Sequence, residues 1–216
     1  MYGAILGDII GSPYEFNANN YKVKDFPLFS ERSTFTDDSV MTLAVAQAFM
    51  RAGTDADDDL ITRCLYRFMP EIGRRYPNCG YGGRFYSWVM GGDPQPYNSF
   101  GNGNGNGKAE IREYIVREFG YDLSRTCDEI RPNYRMDETC QGSVPEAITA
   151  FLEGTDFEDV VRTAVSFGGD SDTIACMAGA VAEGFYGVSE ELKRECRDRL
   201  TPDLQEILDR FVEKIR

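Results

Sequence analysis

The stretch Gly168-Gly169-Asp170-Ser171-Asp172-Thr173, running into Ile-Ala-Cys-Met-Ala-Gly-Ala-Val-Ala, constrains the fold of this chain more than any other. Paired glycines permit a tight turn, and Asp and Ser are common at helix N-termini. Ala175, Ala178, Gly179 and Ala182 then recur at helical spacing, and small side chains on a helix face let a second helix come close. The segment predicts a closely packed core helix with carboxylate and hydroxyl oxygens clustered at its mouth. An N-cap followed by a surface acid that complements the helix dipole accounts for the same residues. On this stretch alone both readings stand, metal ligand and cap.

A second stretch, Thr36-Asp37-Asp38-Ser39-Val-Met-Thr-Leu-Ala-Val-Ala-Gln-Ala-Phe, repeats the arrangement. Met41, Ala44, Val45, Ala48 and Phe49 follow the i, i+3, i+4, i+7, i+8 spacing of a buried helical face. A hydroxyl and two carboxylates again stand where a core helix begins. Such oxygens suit hard cations, Mg²⁺, Ca²⁺ or Mn²⁺. Two clusters facing one another would suit a pair of ions about 3.5–4 Å apart. Without cations, four carboxylates in one pocket would repel and raise one another's pKa.

Three separated segments, in order, resemble the ADP-ribosylglycohydrolase family, the group of dinitrogenase-reductase-activating and ADP-ribosylarginine hydrolases. They are Gly3-Ala-Ile-Leu-Gly-Asp-Ile-Ile-Gly-Ser-Pro-Tyr-Glu15-Phe, Thr36-Asp37-Asp38 and Gly169-Asp170-Ser171-Asp172-Thr173. The resemblance implies an all-α fold, a compact orthogonal helical bundle around a dinuclear Mg²⁺ or Mn²⁺ site. It implies Thr36, Asp37, Asp38, Asp170, Asp172 and Thr173 as metal ligands. It also puts Glu15 beside the metals as candidate general acid/base, with Asp37 and Asp172 as further catalytic carboxylates.

The resemblance extends to two ligand loops. Gly80-Tyr81-Gly82-Gly83 precedes Arg84 and an aromatic helix start, Phe85-Tyr86-Ser87-Trp88. Backbone amides at such a helix N-terminus can cradle phosphate, and an ordinary glycine-rich turn fits the same residues. The family places a glycine loop here against its ligand, with Arg84 as a further contact. Ser99-Phe100-Gly101-Asn102-Gly103 matches the family's next ligand loop, on the distal ribose and adenine side. Here the chain departs from the pattern. Gly and Asn alternate to Gly107, a new helix begins at Lys108, and the chain contains no histidine, where the family continues into further helices, one segment bearing histidine. Gly-Asn alternation has turn and linker character and no apolar face. The reading is a single domain, 1–216, with a Gly-Asn bridge at 101–107 that replaces a block of helices, by engineering or in a natural short relative. Apolar surface left by such a loss would favour self-association, and the expected state is a monomer or a weakly self-associating chain.

With 216 residues, one core that buries roughly 70% of the unfolded surface is possible. No apolar run approaches ~20 residues and the first residues lack a signal pattern; the expectation is a cytoplasmic protein off the membrane. Six cysteines are scattered without C-x-x-C pairs, which favours buried free thiols. A net charge of -13 argues against nonspecific nucleic-acid binding. Asp8, the lone charge in an apolar helix over 1–11, reads as an acid bonded to backbone amides or a nearby loop. Further helices are expected over 56–73, 108–119, from a Ser143 cap with Pro145 in the first turn, and over 156–167, 189–197 and 203–215. No helical period is visible over 121–139, and almost no sheet is expected.

The function implied is metal-dependent hydrolysis of the glycosidic bond between ADP-ribose and an acceptor, a protein side chain, nucleobase or small molecule. The alternative is a weakened or inactive metal-bound helical scaffold or an ADP-ribose-binding module.

Overall fold

Helical periodicity becomes eleven α-helices in the computed structural model, which describes residues 1–16, 20–91 and 108–215; no strand occurs among them. They are α1 Tyr2–Gly11, α2 Asp37–Ala52, α3 Asp58–Gly73, α4 Gly83–Met90, α5 Lys108–Phe119, α6 Cys127–Ile130, α7 Cys140–Glu153, α8 Phe157–Val165, α9 Ser171–Tyr186, α10 Glu190–Asp198 and α11 Pro202–Ile215. A single 3-10 turn, Ser12–Tyr14, follows α1. The chain divides into two compact units, Met1–Thr34 with Gly101–Cys196 and Phe35–Phe100 with Arg197–Arg216.

In the first unit α9 is the central helix, packed on α1, α7 and α8. Every residue of α1 is buried. Gly3, Gly7 and Gly11 stand one turn apart, and added Cβ atoms would meet Gly179, Ala175 and Asp172 respectively. The order is reversed along α9, so the two helices run antiparallel with backbones in contact. A Cβ at Gly7 would overlap the Ala175 carbonyl. Ile5, Leu6, Ile9, Ile10, Phe151, Val160, Val161, Phe167 and Ile174 fill the core. α5 is tied to this unit by Lys108, whose Nζ donates to the carbonyls of Phe151 and Gly154 at 2.7 Å each, at the C-terminal end of α7.

The 121–139 stretch contains one short helix that periodicity did not reveal. Thr126 and Glu129 form a reciprocal capping box, so α6 rests on its cap more than on an apolar repeat. The start of α7 also differs from expectation. Thr139 is the N-cap and accepts from Gly142 N–H, whereas Ser143 lies inside the helix and donates to the Thr139 carbonyl at 2.8 Å. Pro145 is consequently inside α7 instead of in its first turn.

The second unit packs α2 against α3 and α11, with α4 on α3. Thr36 caps α2 and Asp57 caps α3. The buried stripe of α2 is Val40, Leu43, Ala44 and Ala48, one position earlier than the Met41-to-Phe49 stripe expected; Phe49 is 46% exposed. Both stripes have helical spacing, and the packing of α2 against α3 and α11 selects the earlier one. Ala48 packs with Cys64 and Phe68 of α3. None of the six cysteines is in a disulfide, and four of them are buried. No helix among the described residues is long and apolar enough to cross a membrane.

Candidate metal centre

Gly168 and Gly169 both adopt positive φ, 69° and 66°, a conformation that side-chain-bearing residues rarely take. The turn stops the chain after α8 and delivers Asp170 to the start of α9. Asp170 is the N-cap residue, yet its side chain makes no cap hydrogen bond. Its carboxylate is therefore turned to something other than helix capping. Asp170 is 6% exposed, Asp172 3% and Ser171 fully buried. Ser171 Oγ donates to the Gly11 carbonyl at 3.3 Å, and the Asp172 carboxylate accepts from Thr173 N–H at 3.0 Å.

Glu15 reaches the same place from the other end of the unit. The 3-10 turn after α1 ends at Glu15, and Phe16 takes φ 73°. Phe16 N–H donates to the Gly169 carbonyl at 2.8 Å, which fastens the loop to the Gly-Gly turn. Glu15, Asp170 and Asp172 each present a carboxylate oxygen within 4.8 Å of the others. Three such oxygens at that spacing, two of the residues buried, form an all-oxygen donor set that fits a hard divalent cation. Three acids this close, two of them buried, otherwise repel one another.

Asp8 belongs with this group as well. It is fully buried in α1, and one of its carboxylate oxygens lies within 4.8 Å of one of Asp172. From the sequence, Asp8 reads as an acid bonded to backbone amides or a nearby loop; its place beside Asp172 adds to that. The available signal was its position: Asp8 follows Gly7, which is on the face that meets α9. Tyr134 closes the outer side of the turn. A Cβ on Gly169 would be 2.9 Å from its ring. Burial, then the charges of Asp170, Glu146 and Asp137, push its hydroxyl well above the usual tyrosine range.

In the second unit, Thr36, Asp37 and Asp38 stand where the sequence put them, at the start of α2. The Thr36 side chain accepts from Asp38 N–H at 3.4 Å. Asp37 N–H donates to the Cys79 carbonyl at 2.9 Å, and a Cβ on Gly80, at φ 116°, would be 2.9 Å from Asp37 Oδ1. The glycine loop is thus built against the acidic helix start. Beyond it, Cβ atoms on Gly82 and Gly83 would meet nothing within 4 Å, so packing does not demand glycine there. Tyr81 points the other way. Its ring is buried and its hydroxyl donates to the Gly73 carbonyl at 3.4 Å; burial, then Cys79 and Asp37, push that hydroxyl far above its ordinary value. The Tyr81 side chain is thus taken up by the protein's own interior. Ser99, Phe100, Gly101, Asn102 and Gly103 lie outside the described residues.

Comparison with known families agrees with the chemistry of these clusters. The sequence profile of the ADP-ribosylglycohydrolase family matches residues 1–113 and 108–216. The first match carries Asp8, Glu15 and Thr36-Asp37-Asp38, and the second carries Asp170-Ser171-Asp172-Thr173. Together they span the chain, which belongs to the ADP-ribosylglycohydrolase family, hydrolases acting on glycosidic bonds.

Proposed function

We propose that this chain hydrolyses the N- or O-glycosidic bond at ribose C1 of an ADP-ribosyl group, with two Mg²⁺ or Mn²⁺ ions as resident cofactors. The carboxylate trio Glu15, Asp170 and Asp172 carries the reading, since its donor chemistry suits such ions. In this reading the Thr36-Asp37-Asp38 cluster serves the same centre, and Thr173 adds a hydroxyl ligand. When bound, the ions supply a positive field that orients ribose hydroxyls and a water. The chain's own residues do the rest. Carboxylates around C1 stabilise the oxocarbenium-like charge that develops as the bond to the acceptor breaks. Glu15, or a ligand Asp, takes the proton from the attacking water and passes it to the departing nitrogen or oxygen, which leaves protonated. Amides of Gly80, Gly82 and Gly83 hold the diphosphate, so binding energy remote from C1 positions the reacting sugar.

The test is incubation of the full chain with ADP-ribosylated arginine and Mg²⁺ or Mn²⁺, with the products separated and identified. Free ADP-ribose is the expected product, and Asp172→Asn should lower the rate by about 10³-fold while the helical circular dichroism is unchanged. Metal-dependent ADP-ribose binding with no turnover of arginine, serine or nucleobase conjugates would replace the hydrolase by a binding module. Release of AMP would move the chemistry to the diphosphate.

A further inference from the structure

Within the first unit, α5 has little packing of its own. None of its residues from 111 to 119 is buried, and Val116 and Phe119 are 44% and 42% exposed. No other helix packs extensively on it among the described residues. Arg112 donates to the Leu123 carbonyl at 2.6 Å and Phe119 stacks on Tyr121, both within the same stretch of chain. The first residue of α5 is held differently. Lys108 Nζ donates to the carbonyls of Phe151 at 2.7 Å, Leu152 at 3.2 Å and Gly154 at 2.7 Å. These oxygens lie at the C-terminal end of α7, where a helix leaves its carbonyls without intrahelical partners.

The same ammonium sits among three rings. Its nitrogen is 4.8 Å from the ring centroid of Phe151, 5.1 Å from that of Tyr186 and 5.6 Å from that of Phe185. The rings meet one another edge-on. The Tyr186 hydroxyl donates to the Gly154 carbonyl at 2.7 Å, which ties the end of α9 to the end of α7. Carbonyl oxygens, ring faces and the negative end of the α7 dipole all favour a positive charge at this point. Every part of that surround comes from α7, Gly154 and α9, and α5 contributes the ammonium alone.

We infer that the joined ends of α7 and α9 form a binding site for a primary alkylammonium, which Lys108 fills to anchor α5. A primary ammonium has three N–H donors and meets three carbonyls here. A quaternary ammonium would use the rings and leave those carbonyls without a donor. Phe185, the outermost ring, is 50% exposed, so the site is not sealed from water. Lys108 directly follows the Gly-Asn run that ends at Gly107, and its anchor fixes the start of α5 after that run. None of these residues belongs to the carboxylate cluster, so the inference stands apart from the hydrolase reading.

The test uses the full chain and two readouts, amide hydrogen exchange and NMR titration. Lys108→Ala removes a group the size of propylammonium. Exchange in α5 should then quicken by about tenfold or more, while α1 and α9 exchange as in the wild type. Propylammonium added to that variant should shift the aromatic resonances of Phe185 and Tyr186 saturably. The wild type, whose own Lys108 holds the site, should show no saturable shift, and tetramethylammonium should bind the variant more weakly because it has no N–H donor. Phe185→Leu in the wild-type background removes one half-exposed ring and should quicken α5 exchange by about threefold, a readout that stands even where Lys108→Ala does not fold. Exchange of α5 that is equal in the wild type and the variants overturns the anchor. Absence of saturable propylammonium binding to folded Lys108→Ala overturns the site, as does tetramethylammonium bound equally tightly.

Discussion

Two helices of this protein begin with the same chemistry and use it differently. At α2, Thr36 caps the helix through Asp38 N–H, and Asp37 and Asp38 remain partly exposed. At α9, Asp170 holds the cap position without a cap hydrogen bond, and Asp170 and Asp172 are buried beside Glu15. The first start spends its hydroxyl on the backbone and keeps its acids near water. The second forgoes the cap and takes its acids inside. Burying neighbouring charges is costly even where a helix N-terminus favours them, so the α9 arrangement is the one that a bound cation would relieve more.

The largest test of that contrast is metal itself. A ligand that binds only the native state stabilises it by about 2.7 kcal/mol at one hundred times its Kd. Mg²⁺ or Mn²⁺ should raise the melting temperature accordingly, and Asp170→Asn should abolish the gain. In EDTA the same variant should be as stable as the wild type or more so, because one of three crowded charges is gone. A loss of about 1 kcal/mol in EDTA for Asp170→Ala, as for a deleted cap, would return Asp170 to the role of an ordinary N-cap.

Next in size is the backbone contact that sets the cluster's geometry. An Ala at Gly11 would put its Cβ 2.5 Å from Asp172 Cα and 2.8 Å from the Ser171 carbonyl oxygen. Backbone atoms cannot swing aside as a long side chain does, so Gly11→Ala should cost about 1–3 kcal/mol and diminish the metal-induced shift. Gly82→Ala is the control from the other unit. Its Cβ enters open space, and denaturant unfolding should detect a change within about 0.5 kcal/mol. Comparable losses at both positions would mean that α1 and α9 are not held at backbone contact.

Smaller again is the cap of α2. Thr36→Ala removes the acceptor of Asp38 N–H and should cost about 1 kcal/mol in chemical denaturation. Because capping is its structural duty, that loss should persist in EDTA, unlike the Asp170→Asn effect. A Thr36→Ala penalty seen only with metal would make the two helix starts equivalent.

The sequence carried the helices wherever an apolar repeat was long enough to show, as in α1, α3, α5 and α9. It misplaced the stripe of α2 because Val40, Met41, Leu43, Ala44 and Val45 support two faces one residue apart, and only packing against α3 and α11 chooses between them. α6 escaped because four residues are too few to show a period. Of the acidic cluster, Asp170 and Asp172 were legible from the Gly-Gly turn before them. Asp8 was not, since a lone acid in an apolar helix has many uses. What identifies it is the antiparallel contact of α1 with α9, a tertiary fact that brings residue 8 to residue 172. The loop glycines could be found in the sequence, but not the division of labour between Gly73, which receives the Tyr81 hydroxyl, and Gly82 and Gly83, which face open space.

Another buried acid sharpens the contrast because it has its own cation. Glu146, 3% exposed, accepts from Arg125 at 2.6 Å through Oε1, while Oε2 is buried without a hydrogen-bond partner. Burial, only partly offset by Arg125, raises its carboxyl above the usual range. A raised acid binds its proton more tightly in the native state than in the unfolded chain. The native state is therefore favoured at low pH, and the advantage is lost as pH rises from the ordinary glutamate value through the raised one. Glu146→Gln keeps an acceptor for Arg125 and removes the buried charge. Arg125 is about half exposed, at 48%, and so loses little when the ion pair goes. The variant should gain under about 1 kcal/mol at pH 7 and nothing at pH 4, with or without Mg²⁺. That indifference to metal is the discriminating readout. If the Glu146→Gln gain vanishes when metal is added, as expected for Asp170→Asn, then the cation's reach extends into α7 and the cluster at α9 is larger than its carboxylate trio.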